Sequence, residues 1–149
     1  MVYRTIKFRA NNDAHIGLFW GPRRTDGGVV DIPGEFYEIV LGGWGNTRSV
    51  IRESSQGSNN AETEGAICKG MEEWVYITIA QVGGDTIVVS LGEVAGENVY
   101  MQWTDPTPIM VSYIAVMTGW GSSGDWEFTW VENPRVIRLA YSVDTDHCL

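Results

Sequence analysis

Tyr37-Glu38-Ile39-Val40-Leu41-Gly42-Gly43-Trp44-Gly45 aligns without a gap on Tyr113-Ile114-Ala115-Val116-Met117-Thr118-Gly119-Trp120-Gly121. Each copy is an apolar run of strand length that stops at a tryptophan set between two glycines. Glycine tolerates the positive φ that sharp corners demand, so each copy reads as a strand ending in a tryptophan corner. After the first copy, Asn46-Thr47-Arg48-Ser49-Val50-Ile51-Arg52 alternates polar and apolar residues like a strand returning.

Working outward from these two runs, period-two alternation recurs and no window carries a helical stripe. Strands are expected near residues 2–10, 14–20, 35–43, 46–53, 73–82, 86–93, 98–104, 109–118, 125–132 and 135–142. Ten short strands predict an all-β protein, an antiparallel, jelly-roll-like β-sandwich. The clearest hairpin joins Glu73–Val82 to Thr86–Leu91 through Gly83-Gly84-Asp85. Gly21–Gly28 and Ser54–Glu62 are polar and rich in turn residues; both read as loops, the second as the more disordered. No linker composition divides the chain, so residues 1–149 are expected to form one domain.

Composition narrows the partners. Net charge is −9, with two lysines, Lys7 and Lys69, against 19 carboxylates. Such a surface repels phosphate backbones and anionic headgroups, which disfavours nucleic acid and electrostatic membrane binding. No apolar run reaches the roughly 18 residues of a membrane span. The charge also suits calcium, and Asp13, Asp26, Asp31, Asp85, Asp105, Asp125, Asp144 and Asp146 fall in or near turns without forming a known loop motif. No cofactor is expected and calcium stays open. Val2–Arg9 alternates like a strand rather than a signal peptide; the expectation is a cytosolic protein, or an extracellular one in mature form. Cys68 and Cys148 have no metal-type spacing, and a disulfide and two separate thiols are both open.

The runs Asn12–Ile16, Tyr37–Arg52, Gln102–Pro106 and Gly119–Trp126 together resemble the domain family named after farnesoic acid O-methyltransferase, over most of residues 2–130. The name implies methyl transfer from S-adenosylmethionine to a sesquiterpenoid acid. The domain also accompanies lectin-like and other extracellular modules, which implies ligand recognition.

The residues carry little catalytic apparatus. Gly43-Trp44-Gly45 is a G-x-G, but no helical pattern follows it, as a nucleotide-cradling turn requires. There is no Gly-x-Ser-x-Gly elbow, no His-Glu-x-x-His and no P-loop lysine. His15 beside Asp13 could serve as a base, but a strand-edge histidine satisfied by a neighbour is the simpler reading. A non-enzymatic module is therefore expected.

Seven tryptophans exceed what a core of this size needs. Trp74, Trp103, Trp126 and Trp130 are expected in the core, the last two sharing one strand face with Phe128. Trp44 and Trp120 either plug the sandwich ends or present flat faces to a sugar, beside Asn46 and Arg48 in one case and Asp125 and Trp126 in the other. Arg48 and Arg52 share a strand face; they either bind a carboxylate or pair with local glutamates. The expected ligand site is Trp44, Asn46, Arg48, Trp120, Asp125 and Trp126, taking a glycan or another small polar ligand. Methyl transfer and a self-associating structural module, a homo-oligomer joined through an edge strand or Val136–Tyr141, are the alternatives.

Overall fold

A computed structural model describes residues 2–20, 25–26, 29–30 and 36–129. The expected strand at 135–142, with Trp130, His147 and Cys148, lies outside them, as does most of Gly21–Gly28. The strands are β1 (Val2–Ala10), β2 (Ala14–Phe19), β3 (Thr25–Asp26), β4 (Val29–Val30), β5 (Phe36–Gly42), β6 (Arg48–Arg52), β7 (Ala61–Glu64), β8 (Gly70–Val82), β9 (Thr86–Leu91), β10 (Val99–Thr104), β11 (Tyr113–Thr118) and β12 (Gly124–Thr129). Two five-stranded antiparallel sheets, ordered β10-β9-β8-β1-β12 and β11-β2-β5-β6-β7, stack as the expected sandwich; β3 and β4 form a separate two-stranded ribbon.

The core lies between the sheets and follows the alternation. Ile6 and Phe8 of β1 and Val75, Ile77 and Ile79 of β8 meet Ile16 and Leu18 of β2 and Tyr37, Ile39 and Leu41 of β5. Trp103 and Trp126 pack against this cluster, Trp126 stacking on Phe8 at 5.3 Å. Trp74 does not. Its neighbour Val75 takes the inward position, and pleating turns Trp74 outward, where Lys7 and Arg9 lie over its ring at 4.7 and 4.8 Å.

Two corrections concern the site. Ala61–Glu64, partly expected as disordered loop, is an edge strand, paired to β6 through Arg48↔Glu64 and Val50↔Glu62. Its sequence lacks apolar alternation because an edge strand is held by its ladder and tolerates charge. The repeat, second, is not repeated in packing. β5 and β11 flank β2 on either side, but Leu41 pairs with Ala14 whereas its sequence counterpart Met117 pairs with His15. That one-residue stagger sends counterparts to opposite faces: Tyr37 is buried in the core and Tyr113 is not.

The stagger leaves the strand ends together. β5 and β11 both run antiparallel to β2, so both tryptophan corners stand at the end of the sheet where β2 begins. The first corner is a hairpin turn within the sheet. The second crosses to the other sheet, beside the crossing that links β1 to β2.

Candidate functional site

Asp13 ties the two corners together through its backbone. Its N–H donates to the Gly42 carbonyl at 3.0 Å, and its carbonyl accepts from the Gly119 N–H at 2.9 Å. The first corner, Gly43–Asn46, is a turn with Trp44 at φ 51° and Gly45 at φ 69°. Gly42, at φ 64°, has no room for a side chain: a Cβ would stand 2.6 Å from both Asn46 Oδ1 and Cys68 Sγ. Asn46 locks the turn, accepting from the Ile67 and Cys68 N–H groups at 3.1 and 3.0 Å and donating to the Cys68 carbonyl at 2.8 Å. At the second corner the Ser122 N–H donates to the Gly119 carbonyl, and the Asn12 N–H to Ser122 Oγ.

Between the corners lies a cleft of about 250 Å3 lined by Asp13, His15, Val40, Gly43, Trp44, Gly45, Arg52, Gln56 and Trp120. Trp44 and Trp120 stand at it 47% and 59% exposed, so neither plugs the sandwich. Four lining residues, Asp13, Trp44, Gln56 and Trp120, have positive φ without being glycine. For ordinary side chains this conformation costs about 1–2 kcal/mol each, and such strain collects at functional sites.

Beneath the cleft runs a buried polar row across β2, β5 and β6, of which His15 and Arg52 reach the lining as its floor. Glu38, fully buried, faces Arg52 directly in the register, with Oε2 3.2 Å from the Arg52 guanidinium. Oε1 lies 3.1 Å from His15 Nδ1, and the Gln56 N–H donates to Oε2 at 3.2 Å. A carboxylate accepts, so His15 carries the hydrogen on Nδ1. Arg52 also donates to Asn59 Oδ1 at 3.0 Å and lies 5.3 Å from the Trp44 ring centre, with Arg48 at 4.8 Å. Two guanidiniums thus hold the indole by cation–π attraction. The Asp13 carboxylate accepts no hydrogen bond from a described residue, and desolvation raises its pKa, partly opposed by His15.

Of the six residues the sequence nominates, only Trp44 and Trp120 line the cleft. Asn46 spends its amide on the turn. Arg48 pairs with Glu62 at 3.3 Å, as Arg52 does with Glu38, the glutamate pairing left open above. Asp125 is bound by Arg9 at 2.7 and 2.8 Å, and Trp126 stacks in the core. His15 is not at a strand edge: β2 lies between β11 and β5, and the side chain is 1% exposed. Glu38 and Gln56 escaped the sequence reading. The signal for Glu38 is a lone carboxylate inside the apolar run Phe36–Leu41; Gln56, in a polar loop, gives none. Among the described residues no group of three or more His, Cys, Asp or Glu side chains could hold a metal ion, and no helix is long and apolar enough to cross a membrane.

A family model described as farnesoic acid O-methyltransferase matches residues 1–132. No curated protein and no solved structure matches the chain.

Proposed function

The chain belongs to the farnesoic acid O-methyltransferase family, and from that premise we propose that it is a ligand-recognition domain, lectin-like, binding a glycan or similar small polar ligand between Trp44 and Trp120. One observation carries the reading: two exposed indoles, each fixed in a left-handed backbone conformation, flank a cleft floored by buried polar groups. Indole faces stack on the C–H face of a sugar while the floor meets its hydroxyls. Strain at Trp44 and Trp120 supports binding, because it sets the rings in advance and lowers the ordering cost of association.

Methyl transfer, which the family name suggests, would need room for a nucleoside cofactor and a sesquiterpenoid acid together. The 250 Å3 cleft is below the roughly 300–1,000 Å3 of sites that take even one drug-sized ligand, which favours one sugar ring. Glycan-array binding tests the proposal: Trp44→Ala and Trp120→Ala should abolish the signal while circular dichroism keeps its β spectrum. Silence of the wild-type protein across the array would sink it. Calorimetry with millimolar S-adenosylmethionine tests the methyltransferase reading, and heat of binding there would favour it.

A further inference from the structure

The cleft holds a carboxylate whose hydrogen-bonding capacity no described residue fills. The Asp13 side chain is 10% exposed and accepts no hydrogen bond from any described residue; His15 Nε2, which bears no hydrogen when Nδ1 does, is 4.0 Å away, beyond hydrogen-bond reach. The other buried carboxylates are supplied. Glu38 takes His15, Arg52 and Gln56, and Asp105 takes the Tyr37 hydroxyl at 2.7 Å and the Thr107 N–H at 2.8 Å. Native structures rarely leave a buried polar side chain without partners, and a carboxylate has about four lone-pair sites to fill.

We propose that Asp13 anchors the bound ligand by accepting hydrogen bonds from ring hydroxyls, so that the ligand is a polyhydroxylated ring rather than an acid. The inference rests on the reading of the cleft as a glycan site. An acid would meet the Asp13 charge and find no unpaired guanidinium among the described residues of the cleft, since Arg52 is held by Glu38, and Arg48 beside it by Glu62. Hydroxyls avoid that repulsion and gain charge-assisted bonds.

A consequence separates this role from a structural one. Burial raises the Asp13 pKa, so the folded chain holds this proton to higher pH than the unfolded chain. The associated stability is present below the ordinary carboxylate range and is lost as pH rises through the raised value. At neutral pH the unliganded fold is thus destabilised by a charge that serves the ligand. Asp13→Asn removes the charge, and asparagine tolerates the φ of 48°.

The test uses wild type and D13N on an array of neutral and carboxylated glycans, then calorimetry with the methyl glycosides of mannose, galactose and glucuronic acid. Wild type should take neutral rings, and D13N should bind them at least about tenfold more weakly while melting at a higher temperature at pH 7. Tryptophan-dependent binding that D13N leaves within about twofold overturns the Asp13 assignment and leaves the glycan reading standing. A preference for the glucuronide does the same. Silence of wild type on every glycan removes both.

Should D13N not fold, carboxyl-carbon NMR of wild type decides. Among the described residues, the charged and titratable groups around Asp13 are His15 of β2, Glu38 of β5, Arg52 of β6, and the Cys68 thiol, which burial pushes up to about 12 and keeps neutral. Saturation with the tightest neutral glycoside should lower the Asp13 midpoint by about one unit or more, a tenfold coupling. An unmoved midpoint overturns the proposal.

Discussion

Replacing Glu38 by glutamine probes the floor of the cleft with little change of shape. The carboxylate is fully buried and is joined to Arg52 at 3.2 Å, His15 at 3.1 Å and the Gln56 N–H at 3.2 Å. An amide keeps one acceptor oxygen but turns an NH2 toward groups that are themselves donors, and it removes the countercharge of a guanidinium whose side chain is 8% exposed. Removing one partner of a buried ion pair costs about 3–5 kcal/mol. Arg52 retains Asn59 and the Trp44 ring, which places the expected loss near the lower limit, about 3 kcal/mol. For a domain of this size that lowers the melting temperature by roughly 6–12 °C. Urea unfolding of wild type and E38Q, compared at equal slope, measures the loss. The double variant E38L/R52L, which removes both charges, should recover most of it, because a buried pair contributes little net stability against apolar residues. A loss below about 1 kcal/mol for E38Q, or a double variant no better than the single, would refute the reasoning.

Tyr37→Phe strips the hydroxyl that donates to Asp105 at 2.7 Å and accepts from the Ile109 N–H at 3.1 Å. Among the described residues Asp105 then keeps only Thr107, and the half-buried Ile109 N–H loses its acceptor, so guanidinium unfolding should register a loss of about 1–3 kcal/mol. In wild type, burial first and Asp105 second raise the Tyr37 pKa well above the ordinary tyrosine range. Stability is therefore complete below the unfolded tyrosine value and falls as pH rises past it, and tyrosinate absorbance from this residue should appear only together with unfolding. Gly42→Ala places a Cβ 2.6 Å from Asn46 Oδ1 and Cys68 Sγ at φ 64°. A cost of about 2 kcal/mol or more is expected in urea, and an unchanged midpoint would contradict the described turn.

The strands were legible because alternation is local. Phe8, Ile16, Ile39 and Ile77 face inward where period two puts them, and Gly83 and Gly84 turn the β8–β9 hairpin at φ 65° and 90°, as a glycine pair between two alternating runs implies. What failed is what neighbours decide. Trp74 was expected in the core, but the parity of β8 gives the inward position to Val75, and Ala61–Glu64 became a strand only by pairing with β6. Half of the tryptophan site was found from glycine-flanked corners; its floor was not, because Glu38, Arg52 and His15 are 14 and 23 residues apart and meet only through inter-strand register.

The sequence by itself determined an antiparallel sandwich and two tryptophan corners, since side-chain period and glycine φ preference act within a few residues. Tertiary structure alone decided that the matching runs are staggered by one residue about β2, with their corners meeting at Asp13. Register is set by packing between strands distant in sequence, and the corners it brings together hold the buried Asp13 carboxylate in a cleft where no described residue donates to it.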